Sequence, residues 1–249
     1  MKNRIVAGCF FSLGLVMVFA VSGLSIDSAK HLLGMESSGN LSICHSSTIR
    51  IMPLGDSITH GSAIPGGYRI ALWNQFIEHG WQVDFVGSQA NGPATLDRQH
   101  EGHPGRPIQY LQAEIRGWLD AHQPQIILLM AGTNNVLYPE IHDFANSTIY
   151  LNSLMQLITE VVPTADLLVA SIPPINDAAA NERARRFNGA IPGMVDLQRD
   201  RGRQVHYVDV SNALTEEDLA DGVHPNDAGY VKIAAVWYRA LFELIEQRC

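Results

Sequence analysis

Short apolar runs punctuate the chain at residues 49–53, 82–87, 125–131, 165–172 and 204–210. Each is too short and too continuous to be one face of a helix, and such runs read as strands buried on both faces. Between them the apolar residues recur at helical spacing. Tyr68 to His79 puts Leu72, Trp73, Phe76 and Ile77 on one side and stops at Gly80. Ile108 to His122 does the same with Ile108, Leu111, Ile115, Trp118 and Leu119, behind Pro107, where a helix start tolerates proline. Leu151, Leu154, Leu157, Ile158 and Val161 form a third face. Residues 177–200 predict a helix broken near Pro192, and residues 226–247 a last one with Ile233, Trp237, Leu241, Leu244 and Ile245 together. Strands alternating with helices predict an α/β fold, with a parallel sheet covered on both faces. Pro53, near the end of a central strand, cannot donate to the ladder, a tension that is tolerable if pairing there has already ended.

The ends of the chain read differently. Lys2 and Arg4 precede an apolar run from Ile5 to Val21, and Val21-Ser22-Gly23 suits a small-residue cleavage site. Residues 1–23 are therefore expected to be a signal peptide, with export and no stable membrane anchor; an uncleaved anchor is the competing reading. Cys9 after Val6-Ala7-Gly8 hints at a lipoprotein box but comes too early in the run. Residues 24–46 are polar and aperiodic, a tail before a single domain at 47–249. Loss of the leader removes Lys2 and Arg4 and no acid, so the net charge of −8 becomes −10. That balance argues against nucleic acid as a partner and suits a neutral polysaccharide. Cys44 and Cys249 then remain, and an oxidising compartment permits a bridge between them. No glycine-rich phosphate loop follows a strand, so no nucleotide and no other cofactor is expected.

The chemistry gathers in two places. Gly55-Asp56-Ser57-Ile58-Thr59 follows the first strand, and Asp221-Gly222-Val223-His224 precedes the last helix. A serine hydroxyl needs a base within hydrogen-bond reach, and the base needs a third group to hold its tautomer. Ser57, His224 and Asp221 are the candidate catalytic residues for those roles. Alone, Asp221-Gly222 would read as a turn. His100, Glu101 and His103 lie too close together on a loop for a zinc pattern, so no metal site is assigned and they are expected to brace the loop.

With Gly55-Asp56-Ser57, His100-Glu101-Gly102-His103-Pro104-Gly105, Gly132-Thr133-Asn134-Asn135 and Asp221-Gly222-Val223-His224-Pro225 in that order, the chain resembles the SGNH, or GDSL, hydrolases over residues 49–245. Ile51-Met52-Pro53-Leu54-Gly55-Asp56-Ser57-Ile58-Thr59, Gly67-Tyr68-Arg69, Phe85-Val86-Gly87-Ser88 and His224-Pro225-Asn226-Asp227-Ala228-Gly229-Tyr230 look like carbohydrate esterase family 3, which includes acetyl xylan esterases. The chain departs from that family at Asn135, usually Asp, and at Pro104-Gly105-Arg106, often Ser-Gly-Trp. The resemblance implies a flavodoxin-like three-layer α/β/α sandwich, the SGNH hydrolase fold, with a five-stranded parallel sheet in the order 2-1-3-4-5. Ligands of such sheets sit beyond the carboxyl ends of the strands.

A developing oxyanion needs preorganised donors. The backbone N–H groups of Ser57 and Gly105 and the Asn134 amide are the candidates, with Gly102 competing for the glycine's part. Asp56 is expected to fix the nucleophile loop. Tyr68 and Arg69 are expected to line a sugar site, against a plain surface role at a helix start. The function implied is a secreted esterase acting on an acetylated polysaccharide such as xylan. A lipid esterase or thioesterase, or a non-catalytic carbohydrate-binding protein on the same scaffold, are the alternatives.

Overall fold

A computed structural model of the chain describes residues 48–246. The expected leader, the whole of the tail, Cys44 and Cys249 lie outside them. Strand β1 (Ile49–Gly55) runs straight into the one-turn helix α1 (Ser57–His60), and α2 (Tyr68–Glu78) follows. Next come β2 (Val83–Phe85), β3 (Gln89–Ala90), β4 (Gln99–Gly102) and α3 (Ile108–His122). The second half holds β5 (Ile126–Met130), α4 (Thr133–Leu137), α5 (Ser147–Val161) and β6 (Asp166–Ala170). It ends with α6 (Ala178–Asp200), β7 (Val205–Val208) and α7 (Asp227–Glu246).

Five parallel strands stand in the order β2-β1-β5-β6-β7, the doubly wound order implied by the resemblance. The alternation of side chains divides the core in two. Met52, Leu54, Ile127, Leu129, Leu167 and Val169 face α3, α5 and α6. Ile51, Ile126, Leu128, Met130, Leu168 and Ala170 face α2 and α7, where Phe76 and Trp237 are fully enclosed. Both faces are covered, so the central strands are apolar except near their starts, at Arg50 of β1 and Asp166 of β6. Among the described residues no helix is long and apolar enough to cross a membrane.

Three details differ from expectation. β4 runs parallel beside the end of β1, and the two-residue β3 pairs antiparallel with β4. Neither carries the apolar pattern of a strand. Pairing does not end at Pro53, which lies opposite Leu128 of β5. The Ile51 carbonyl accepts from Val86 N–H at 2.9 Å and the Gly55 carbonyl from His103 N–H at 2.9 Å. Ile51, Pro53 and Gly55 therefore turn their peptide groups away from β5. On that flank β2 reaches only Ile51 and β4 begins only at Leu54, so the proline nitrogen faces the break between them. Lastly, α6 passes through Pro192 unbroken. A mid-helix proline costs about 3 kcal/mol. Here the buried face of Ala184, Phe187, Ile191 and Val195 holds the helix on either side of it.

Candidate active site

Ser57 is placed by the strand that precedes it. A side chain at residue 55 would bring a Cβ within 2.2 Å of the Met130 carbonyl, so only glycine lets β1 lie this close to the end of β5. Asp56 then caps α1, accepting from Ile58 N–H at 3.0 Å. Burial raises its pKa, and the Ile58 N–H bond works against that rise. Ser57 is the first residue of α1, so its N–H has no carbonyl partner within the helix. Its side chain opens to the surface only slightly.

His224 and Asp221 come from the loop between β7 and α7. That loop is tied at many points. Leu219 bridges Pro225, and Ala220 N–H donates to the His224 carbonyl at 2.7 Å. Asn176 N–H donates to the Gly222 carbonyl at 2.8 Å, and the Asn226 side chain accepts from Gly229 N–H at 3.0 Å, capping α7. Asp221 Oδ1 accepts from the N–H groups of Val223 and His224 at 3.0 and 2.8 Å. Its Oδ2 accepts from His224 Nδ1 at 2.7 Å. A carboxylate can only accept, so the imidazole proton sits on Nδ1 and the Nε2 lone pair is free. Nε2 lies 2.9 Å from Ser57 Oγ and accepts from the hydroxyl. Burial pushes the Asp221 carboxyl up, but the His224 backbone N–H, the imidazole and Val223 N–H outweigh it and hold its pKa below the ordinary value.

The glycine candidates follow β4 and the asparagine follows β5, the two strands that flank the end of β1. Gly102 N–H is engaged by His100 Nδ1 at 3.0 Å. Gly105 is exposed and has φ +73, a conformation that favours glycine. Asn134 Nδ2 donates to the Arg106 carbonyl at 3.0 Å, which ties the asparagine to the residue after Gly105 and leaves its second amide hydrogen. Asn135 turns the other way. Its oxygen accepts from Ile108 N–H, the first of α3, at 3.1 Å, and its amide donates to Gln109 and to the His142 carbonyl.

Tyr68 and Arg69 require correction. Both are completely buried, so neither lines a surface crevice. The Arg69 guanidinium donates to the carbonyls of Thr59, Arg98, His60 and Asn91 and to the Asn91 side chain. It clamps the far end of α1 to the loops around β3 and β4. Burial lowers its pKa to about 10 and raises that of Tyr68 to about 12. Arginine at a helix start looks like a surface residue in sequence; here the end of α1 and the loops around β3 and β4 enclose it.

The loop that carries Gly105 is braced by its own polar residues. Glu101 is buried and accepts from Ser88 N–H at 2.7 Å, Ser88 Oγ at 2.6 Å and His103 Nε2 at 2.7 Å. The His103 ring stacks on Trp118 of α3 at 4.5 Å. Burial first, and then Arg69, lower the His100 pKa to about 2, which leaves that ring neutral.

Fold and site together define a class: an α/β protein of the hydrolase type, with a serine at the carboxyl edge of a parallel sheet and an imidazole against it. The chain belongs to the GDSL-like lipase/acylhydrolase family, whose pattern it matches over residues 54–232. It is 30% identical, over 270 aligned positions, to a multidomain esterase of Ruminococcus flavefaciens; the match takes in 95% of this chain but only 33% of that protein. Two solved structures are similar throughout. A family 3 carbohydrate esterase of Clostridium thermocellum has 34% identity and a TM-score of 0.73, covering 81% of this chain and 98% of that one. A family 3 carbohydrate esterase from Talaromyces cellulolyticus has 30% identity and a TM-score of 0.71, covering 80% and 99%.

Proposed function

We propose that this protein is a serine esterase that removes O-acetyl groups from a carbohydrate such as xylan, through an acyl-enzyme on Ser57. The observation that carries this reading is the unbroken relay from Ser57 through His224 to Asp221, at 2.9 and 2.7 Å. The similarity to family 3 carbohydrate esterases supports the choice of substrate. Export fits it as well, since residues 1–23 have the composition of a signal peptide and a polysaccharide must be met outside the cell.

In this mechanism Ser57 Oγ attacks the ester carbonyl while its proton passes to His224 Nε2. The negative charge on the former carbonyl oxygen is met by the N–H groups of Ser57 and Gly105 and by the Asn134 amide. Gly105 takes this part rather than Gly102, whose N–H is already engaged. Asp221 stabilises the imidazolium and keeps the ring in place. The proton then goes to the departing sugar hydroxyl. Water, activated by the same imidazole, releases acetate and restores Ser57.

The two neighbouring asparagines separate chemistry from structure. Asn134→Ala is expected to lower turnover by roughly two to three orders of magnitude, the usual effect of removing one oxyanion donor, with little change in substrate binding. Asn135→Ala is expected to destabilise the fold instead, by about 1–3 kcal/mol for each buried group it leaves unpaired. Steady-state kinetics and thermal melts on both variants check this. A silent Asn134→Ala beside a damaging but well-folded Asn135→Ala would shift the donor by one residue.

The reading as a whole is tested with acyl chain length. Rates on nitrophenyl acetate, butyrate and octanoate are expected to fall in that order, and acetate is expected to appear from acetylated xylan. An octanoate optimum would instead identify a lipid esterase. Hydrolysis of the nitrophenyl ester with no acetate from the polysaccharide would leave only a general esterase.

A further inference from the structure

We infer that Arg106 is a specificity-determining residue that favours an acetylated polysaccharide bearing carboxylate groups, a uronic-acid-substituted xylan being the simplest case. The inference rests on the carbohydrate esterase reading above. Arg106 follows Gly105 directly, and its carbonyl accepts from Asn134 Nδ2 at 3.0 Å. It therefore stands on the rim of the site beside two of the three candidate oxyanion donors, Gly105 and Asn134. Its backbone is fixed a second time by its own N–H, which donates to the His103 carbonyl at 3.2 Å.

The side chain is exposed yet held. The guanidinium lies over the Tyr110 ring, 4.5 Å from its centre. Cation–π stacking uses the flat face of the group and leaves its N–H donors on the edge, where a carboxylate can take two of them at once. A second arginine borders the same segment: Arg183 Nε donates to the Val136 carbonyl, on the helix that carries Asn134, at 2.7 Å. Among the described residues no carboxylate lies within 4.0 Å of either guanidinium. Several acids of the surrounding segments have other partners: Glu101 has Ser88 and His103, Asp143 has Asn146 and Tyr150, Glu182 has Arg185, and Asp221 has His224.

The charge of the whole chain sharpens the point. At −8 the protein repels polyanions in general, so an acidic sugar would be tolerated only where local cations meet it. A sparse carboxylate near an acetyl group suits one or two arginines; a dense polyanion does not.

The test compares kcat/KM on acetylated xylo-oligosaccharides with and without a uronic acid substituent, with nitrophenyl acetate as a control for the esterase itself. The natural protein is expected to prefer the acidic substrate by about three- to tenfold at low salt, mainly through KM, the range of one exposed charge-assisted contact. Arg106→Gln is expected to bring the ratio near one, and Arg106→Lys to keep part of it. About 0.5 M salt is expected to erase most of the preference in the natural protein, a reading that needs no variant. Deacetylation of both oligosaccharides without preference, or a preference that survives Arg106→Gln, overturns the inference and leaves the carbohydrate esterase standing. Hydrolysis of nitrophenyl acetate alone removes both.

Discussion

Ser57→Ala is expected to remove ester hydrolysis, with turnover falling by about a millionfold, as in a serine protease whose nucleophile is deleted. The substitution takes away one oxygen and little else. The backbone N–H at residue 57 stays in place, Asp56 still caps α1 through Ile58, and Gly55 still meets β5. The Ser57 side chain bonds His224 across the site rather than holding two elements of the core together. Thermal melts and circular dichroism are therefore expected to match the natural protein closely. Nitrophenyl acetate hydrolysis by purified variant reads the effect, and whatever slow turnover remains comes from the oxyanion donors and substrate binding. A folded variant that keeps substantial activity would move the nucleophile to another residue.

Asp221→Asn is expected to lower turnover by about ten-thousandfold while leaving the fold intact. One carboxylate oxygen accepts from two backbone N–H groups, and an asparagine oxygen can take that place. Its amide would then face Nδ1 as a donor. The ring answers by moving its proton to Nε2, where it points at Ser57 and can no longer accept from the hydroxyl. The loss is expected in turnover rather than in binding. Nitrogen chemical shifts of the His224 ring, read by NMR, would report the change of tautomer independently of kinetics. Unchanged tautomer together with unchanged turnover would remove Asp221 from the relay.

The fold and the site were unequally legible. The central strands β1, β5 and β6 announce themselves because burial on both faces demands apolar runs, broken only by Arg50 and Asp166 near the strand starts. The helices follow from the spacing of one apolar face. β3 and β4 were invisible because Gln99-His100-Glu101-Gly102 is polar, and the buried Glu101 carboxylate is satisfied by Ser88, which only the fold brings near. Ser57, Asp221 and His224 stood out as residue types at suggestive places, but the one bond that joins Ser57 to the pair, at His224, spans 167 positions of the chain. Arg69 shows the opposite failure. Its partners are mostly backbone carbonyls, which leave no trace in residue identities. Pro53 was legible as a problem, while its solution, a change of neighbour along one flank of β1, belongs to the sheet.

The short span from Asp221 to His224 has a mechanical consequence. Base and carboxylate ride on one loop that is stitched to itself, so their spacing is set locally and moves with that loop as a unit. Ser57 rides on the end of β1, a separate body. Among the described residues one side-chain hydrogen bond, 2.9 Å long, joins serine to imidazole. The pair is thus a latch with a single closing gap, and the proposed chemistry depends on the sheet and the loop keeping the two parts at that distance.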